Sequence, residues 1–315
     1  MNNPFIYSID NKRYHTFNYY LKNTYNCKVA KIPLDANFSC PNRDGKLSTD
    51  GCIFCSEKGS GDFTDDKNND LELQYQNILK VMRKKWPSCS TIPYFQAFTN
   101  TYGPLEKISN MIEPFLYKDE VKAIAIATRA DCLEDDKIEY LNSITNKKDI
   151  WLEIGLQTSN DNTSNLINRG HSFDVFSDCL KRLEHTNIKV CVHIINSLPY
   201  EDINDMLQTI KDLNKLPFHG LKIHMLYVIK NTLLEYLYNS KPFHVLTKDE
   251  YIDVVIKQLE LLNPEIIIQR ITGDPIKEDL VEPTWLLNKT VLINDIDKEM
   301  KRRNTYQGIK KEKTL

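Results

Sequence analysis

The chain has 315 residues and a mass of 36.8 kDa, with 41% apolar and 27% charged residues. That length suits one large α/β domain or two modest ones, and a formal net charge of −2 creates no whole-molecule field toward nucleic acid or membrane. No apolar run approaches the roughly 18–20 residues that span a bilayer, and Met1-Asn2-Asn3-Pro4-Phe5-Ile6-Tyr7 lacks the flank and apolar stretch of a signal peptide, so the expectation is a cytoplasmic globular protein.

In chain order, β-rich runs alternate with helical patterns. Lys28–Pro33 comes first, then a polar loop, an acidic connector over Asp62–Asp70, and a helix over Leu71–Trp86. Further runs cover Thr91–Phe98, Lys122–Ala127, Ile150–Gly155, Lys189–Ile195, Gly220–Val228 and Ile266–Gln269. Ala123-Ile124-Ala125-Ile126-Ala127 is apolar on both faces, as a buried parallel strand requires. Ile203, Met206, Leu207, Ile210 and Leu213 recur at the helical period. So do Ile252, Val255, Ile256, Leu259 and Leu262, introduced by a capping box from Thr247 to Glu250. One βα unit about every 30–40 residues predicts right-handed repeats in one parallel sheet or barrel. The active face then lies beyond the C-terminal ends of the strands. Residues 1–26 read as an N-terminal extension, 27–262 as the core barrel and 263–315 as a C-terminal extension. Its basic tail (Lys301, Arg302, Arg303, Lys310, Lys311 and Lys313 against Glu312) is a solvated terminus or a phosphate-binding arm.

Eight cysteines in a chain without an export signal favour metal or catalytic use over disulfides. Cys132, Cys179 and Cys191 lie in or beside apolar periodic segments, where a free cysteine is a small core residue. Cys40, Cys52 and Cys55 lie in the polar loop after the first strand, where burial does not explain them. Average usage would give about 22 glycines, yet the chain has 10, and four of them, Gly45, Gly51, Gly59 and Gly61, surround these cysteines. The backbone there must bend tightly or approach something closely. Three thiolates from one loop can hold three irons of a [4Fe–4S] cube and leave the fourth open. Structural zinc is the alternative, but it wants four ligands in close pairs. Cys52/Cys55 is such a pair, whereas Cys27, a possible fourth ligand, precedes the first strand at its far end.

The segments Asn37-Phe38-Ser39-Cys40-Pro41-Asn42-Arg43-Asp44-Gly45, Gly51-Cys52-Ile53-Phe54-Cys55, Tyr94–Tyr102, Ala127–Leu133, Glu153–Thr158, Ile167–His171, Leu198-Pro199 and Arg270–Asp274 follow one another at successive strand ends. In this order the sequence resembles the radical S-adenosylmethionine (SAM) enzymes of the Elongator-protein/MiaB/NifB type, and more closely their YtqA/YhcC-like subgroup. The resemblance implies an α/β partial (β/α)6 barrel with a [4Fe–4S] cluster on Cys40, Cys52 and Cys55 at its mouth. It also implies SAM chelated to the open iron and cleaved reductively to a 5′-deoxyadenosyl radical. Carried over residue by residue, Thr99 and Asn100 take the place of the family's SAM-amino motif, Gln157 meets the ribose or carboxylate, and Arg169 forks onto the carboxylate. Arg129, Glu153 and His193 complete the implied SAM-binding set. Each has a plainer alternative: Thr99 and Gln157 as helix caps, Arg129 paired with Glu153, His193 as a core histidine, and His224 and Met225 as barrel lining. Arg270 is a core-edge ion pair or a substrate contact. Where relatives read Gly-Leu-Pro-Gly, this chain has Ser197-Leu198-Pro199-Tyr200, so that turn must avoid positive φ or these side chains must tolerate it.

The subgroup is linked to tRNA wobble-uridine modification, the removal of the carboxymethyl part of 5-carboxymethylaminomethyluridine to leave 5-aminomethyluridine, with flavodoxin or ferredoxin as electron donor. The basic tail, Arg83-Lys84-Lys85, and the exposed-looking aromatics Tyr94 and Tyr102 could meet phosphates and bases. A solvated last helical turn is the alternative for Arg83-Lys84-Lys85. A small metabolite or a protein side chain is the alternative substrate, and a zinc-binding interaction protein the non-enzymatic reading.

Overall fold

The computed structural model describes residues 3–59, 61 and 63–311. Met1 and Asn2, Asp62 of the acidic connector, and Glu312 and Lys313 of the tail lie outside the described residues. Helix α1 (Phe17–Tyr25) starts on the Thr16 side chain, which accepts the Tyr19 amide, and stops at Asn26 with a left-handed φ of 50°. The chain then runs β1 (Val29–Leu34), α2 (Leu71–Lys85), β2 (Ser90–Phe95), α3 (Leu105–Leu116), β3 (Ala123–Thr128), α4 (Asp135–Ser143) and β4 (Asp149–Gln157). It continues through α5 (Asp161–Leu166), α6 (Phe173–Leu183), β5 (Lys189–Asn196), α7 (Ile203–Leu213), β6 (Gly220–Met225), β7 (Val228–Ile229) and α8 (Leu233–Ser240). The last elements are α9 (Lys248–Leu261), β8 (Ile267–Arg270), β9 (Leu280–Glu282) and α10 (Lys289–Arg302).

Strands β1 to β6 and then β8 pair in parallel, in sequence order, as one curled sheet. The curl brings its edges together: Lys31 Nζ of β1 donates to Gln269 Oε1 of β8 at 2.8 Å. This is the expected α/β partial barrel, with β8 as a seventh strand. Each β-rich run supplies one strand, but Gly220–Val228 divides. The chain leaves the sheet after Met225, and Val228 pairs with Glu282 in a separate antiparallel ribbon of β7 and β9.

Strand alternation sorts the side chains between two environments. Ile124 and Ile126 of β3, Leu152 and Ile154 of β4, and Val190, Val192 and Ile194 of β5 face the helices in the main core. Ala123, Ala125, Trp151 and Cys191 face inward, where Leu21, Phe17 and Tyr20 of α1 pack against them. Trp151 meets Phe17 and Tyr20 edge-on at 5.9 and 5.7 Å. Helix α1 therefore closes the N-terminal end of the barrel. Capping fixes the outer helices: Thr247 and Glu250 form the expected box ahead of α9, and Asp202 and Asp205 form another ahead of α7.

As far as Lys311, the last described residue, the tail is docked on the barrel rather than free. Gln307 is fully buried and donates to the Asn263 and Ile266 carbonyls, while Arg302, Arg303 and Lys310 pair with Glu299, Asp253 and Glu260. Arg83, Lys84 and Lys85 fill the exposed last turn of α2, where cations complement the helix dipole. Since α2 returns the chain to the start of β2, that turn lies at the opposite end of the barrel from the cysteine loop.

Candidate functional site

Cys40, Cys52 and Cys55 line one cavity of about 680 Å³ at the C-terminal ends of the strands, within the range of small-molecule sites. Their loop is held by its own backbone. The Arg43 amide donates to the Cys40 carbonyl at 2.8 Å, the Gly51 amide to Asn42 at 2.7 Å, and the Cys55 amide to Cys52 at 3.0 Å. Gly51 and Gly59 take positive φ of 76° and 53°, and a Cβ on Gly59 would lie 2.4 Å from the Phe98 ring. Here the concentrated glycines meet a real constraint. Asn42 clamps the loop to the segment after α5: its Nδ2 donates to the Asn168 and Arg169 carbonyls at 2.6 and 3.1 Å and lies 3.6 Å from Cys52 Sγ. Arg43 crosses back to the Cys55 and Ser56 carbonyls. The Cys52 thiol is pulled down to about 7, first by the hydrogen bond with Cys55 and, against its burial, by Arg129, Asn42 and Arg43. The same hydrogen bond, with burial, pushes the Cys55 thiol well up, so the pair shares a proton and the thiolate is accessible first at Cys52.

The expected wall residues divide. Thr99, Arg129, Gln157 and Arg169 all line the cavity, and Asn100 does not. Asn100 is fully buried and ties the β2 and β3 ends together through the Phe95, Ala97 and Ala127 carbonyls. Thr99 and Gln157 do not cap helices: Pro104 precedes α3, and Asn160 caps α5. Gln157 has φ 62° at a bulge of β4, and its side chain folds over Gly155, where a Cβ would sit 2.5 Å from Nε2. Arg129 pairs with Asp131 rather than Glu153, through Nε and Nη2 at 2.9 and 2.8 Å, and Nη1 reaches the Arg169 carbonyl at 2.7 Å. Arg169 is buried, and its donors hold the Leu156, Thr158 and His171 carbonyls and Asp161. At the fifth-strand turn, Ser197 and Tyr200 do tolerate positive φ, at 71° and 66°. Ser197 Oγ accepts the Leu246 amide, and Tyr200 Oη donates to the Lys241 carbonyl, contacts that offset about 1–3 kcal/mol of strain per residue.

Below the cysteines lies a buried polar floor. The Glu153 carboxylate contacts Lys31, Lys222 and His193 Nε2, the last at 3.0 Å. Burial raises the Glu153 pKa, but Lys222, Lys31 and His193 hold it well below the usual carboxylate range. Burial lowers Lys222 to about 8 and His193 to about 4, in both cases with help from neighbouring cations. Tyr94 is not an exposed aromatic: its buried phenol faces this floor, with Lys31 and Lys222 each 4.7 Å from the ring centre. His224 lines the cavity beside His193, whereas Met225 packs into the main core as well. Sequence reasoning missed Lys31, Lys222 and Asn42. The signal for both lysines was a charge at an inward register position, between Ala30 and Ile32 and between Leu221 and Ile223.

The zinc alternative finds no support in this arrangement. Cys27 Sγ lies 3.4 Å from Ser90 Oγ at the far end of the barrel. Among the described residues no three His, Cys, Asp or Glu side chains gather around a single ion. A cube takes its thiolates on separate irons, so its ligands surround a larger body than a single ion; three cysteines lining one cavity suit three of its irons and leave the fourth open.

The family model described as Radical SAM superfamily matches residues 42–213, and that of the Radical_SAM C-terminal domain matches residues 218–302. The chain belongs to the radical SAM superfamily. It is 44% identical over 307 residues to YtqA of Bacillus subtilis, covering 98% of this chain and 95% of that protein. It is 28% identical over 280 residues to YhcC of Escherichia coli, covering 88% and 89%. Its fold is similar to that of an N-terminally truncated Elp3 from Methanocaldococcus infernus, with a TM-score of 0.67 at 16% identity. That match covers 89% of this chain and 64% of the Elp3 chain. The family and the Elongator-like subgroup expected from the motifs both stand. The cofactors of a radical SAM enzyme are a [4Fe–4S] cluster and SAM. No helix among the described residues is long and apolar enough to cross a membrane.

Proposed function

We propose that this radical SAM enzyme acts on the wobble uridine of tRNA, removing the carboxymethyl part of 5-carboxymethylaminomethyluridine to leave 5-aminomethyluridine, with a flavodoxin or ferredoxin as electron donor. When bound, the cluster and SAM supply a 5′-deoxyadenosyl radical that abstracts hydrogen. Cys40, Cys52 and Cys55 are the residues that hold the cluster. Arg129 keeps N–H groups beyond those given to Asp131 and Arg169, and with Thr99 and Gln157 it forms the wall we assign to SAM. Arg169, engaged by carbonyls, braces that wall. Glu153 and His193 line the same cavity but are engaged with each other and with Lys31 and Lys222.

The observation that carries the RNA reading is a shallow cleft beside the cavity mouth, lined by Phe38, Phe98, Tyr102, Arg43 and Lys107. Lys107 lies 4.1 Å above the Phe38 ring, Lys46 5.2 Å above Tyr102 and Arg43 5.8 Å above Phe98. Phe38 is buried in the main core and Arg43 is held by the Cys55 and Ser56 carbonyls, so the Tyr102 and Phe98 rings with Lys46 and Lys107 are what this cleft offers to unstacked bases and phosphates. The test is mass spectrometry of tRNA nucleosides from a strain lacking the gene. Accumulated 5-carboxymethylaminomethyluridine, reversed by the wild-type gene and not by Cys52→Ala, is the expected result. An unchanged nucleoside profile removes the tRNA substrate.

A further inference from the structure

We propose that the floor of the cavity is a carboxylate-binding site, built by Lys222, Arg270, His224 and Gln269, that receives the anionic end of the substrate. The identity of that substrate rests on the function proposed above. The site itself rests on charge and unmet hydrogen-bonding capacity.

Consider first the charges. Glu153 is in contact with Lys31 and Lys222, and Asp274 with Arg270 at 3.1 Å and Lys289 at 2.7 Å. Three cations that line the cavity, Lys31, Lys222 and Arg270, thus share its two lining carboxylates, and Lys289 reaches Asp274 from outside the cavity. Other acidic groups nearby do not close the gap. Burial and Glu153 push the Tyr94 phenol well above its ordinary value, and the Cys191 thiol is pushed up to about 12, so both stay protonated. His193 and His224 are held neutral by burial and by the surrounding cations. An uncompensated positive charge in a low-dielectric pocket favours an anion.

Next come the unpartnered nitrogens. Gln269 Nε2 and His224 Nε2 are buried atoms without a hydrogen-bond partner among the described residues, although buried polar groups almost always have one. Both residues line the cavity, together with Lys222 and Arg270. A purely structural ion-pair network would match its charges and satisfy its donors. This one leaves positive charge and two unpartnered nitrogens, an amide N–H of Gln269 and, in its Nε2–H tautomer, an imidazole N–H of His224, on residues that line the same cavity, the complement of a carboxylate with its several acceptor positions. The cavity also contains the three cysteines, so an anionic tail held on the floor anchors the rest of its molecule toward them. A carboxymethylamino substituent has that anion at its tip, and the product lacks it.

Equilibrium dialysis against the reconstituted holoenzyme with SAM tests the site, using 5-carboxymethylaminomethyluridine nucleoside and its carboxamide. The wild type is expected to hold the acid about tenfold tighter than the amide or better. That preference disappears in Arg270→Gln, His224→Leu and Lys222→Met. Should Lys222→Met fold poorly, the partly exposed Arg270 keeps the test decisive. Equal binding of acid and amide by the wild type overturns the site, as does a preference that survives in Arg270→Gln and His224→Leu. So does a gain seen with uridine 5′-monophosphate and not with the acid. A tRNA anticodon stem-loop bearing the modified base separates the two proposals. Acid preference at the nucleoside without action on the stem-loop keeps the carboxylate site and removes the tRNA reading; action on the stem-loop without acid preference does the reverse.

Discussion

Replacing Glu153 by glutamine removes the anion that Lys31, Lys222 and His193 share at the barrel's centre. Glu153 is fully buried, and Lys222 is nearly so. Removing one partner of such a pair costs about 3–5 kcal/mol, because the remaining charge stays buried. An unfolding entropy of about 2.1 cal/mol/K per residue over 315 residues makes this a fall in Tm of about 5–8 °C. The pH dependence is specific. Lys222 is lowered to about 8 by burial, Lys31 and Arg270, with Glu153 opposing them. A lysine depressed in the folded state weakens folding while protonated, and stability returns as pH climbs through about 8 toward the unfolded value near 10.4. In Glu153→Gln the depression deepens, so the deficit grows as pH falls below about 8 and narrows by pH 10, where wild-type Lys222 is itself neutral. Thermal unfolding of anaerobically reconstituted protein across that range measures it. A fall below about 2 °C at pH 7, or a deficit constant to pH 10, refutes the reasoning.

Cys40→Ala, Cys52→Ala and Cys55→Ala each abolish formation of 5′-deoxyadenosine from SAM, whereas Cys179→Ala, in the main core, costs only packing of about 1 kcal/mol; anaerobic turnover and melting curves separate the two outcomes. In Gly170→Ala the new Cβ falls 2.6 Å from Asn42 Oδ1 at a φ of 87°, so the clamp on the cysteine loop opens and iron content after desalting drops while helical signal persists. Glu201 is raised to about 7 by burial and by Asp205 and Asp202, against its hydrogen bonds to Thr158 and Thr163. A carboxyl raised on folding stabilises below its unfolded pKa near 4.3 and loses that contribution as pH rises through about 7. Glu201→Gln therefore gains about 1–2 kcal/mol at pH 8, after discounting for solvent, and nothing at pH 4. Melting temperatures at the two pH values check this.

The strands were legible because helix-facing and inward positions are both apolar, as in Ala123–Ala127. The cysteine loop was legible for the opposite reason, since its thiols had no apolar context. Lys31 and Lys222 were not legible as a pair. They belong to the first and sixth strands of the sheet, and only its curl brings them to the same carboxylate. Arg169 reaches the cavity wall with its donors already on carbonyls, and that was not legible because the Leu156 and Thr158 carbonyls come from a turn whose path depends on the bulge at Gln157. Tyr94 looked exposed, since an aromatic in a short strand gives no sign of which face is interior. The docked tail was hidden too: Gln307 is polar and sits among charges, yet two carbonyls from the loop before β8 draw it under the barrel. At Ser197 and Tyr200 the missing glycines were visible, and the side-chain anchors that compensate for them were not.

Helix α1 bears on more than stability. Phe17 lines the cavity and lies under Lys31, 5.1 Å from its ammonium, so the stopper at the bottom of the barrel is also the last wall before the charged floor. Trimming the chain to begin after Tyr25 would turn a blind pocket into a tunnel, let bulk solvent leak onto Glu153 and Lys222, and weaken the polar contacts that would hold a substrate in place. The observable trace would be idling: 5′-deoxyadenosine accumulating without a matching yield of altered substrate.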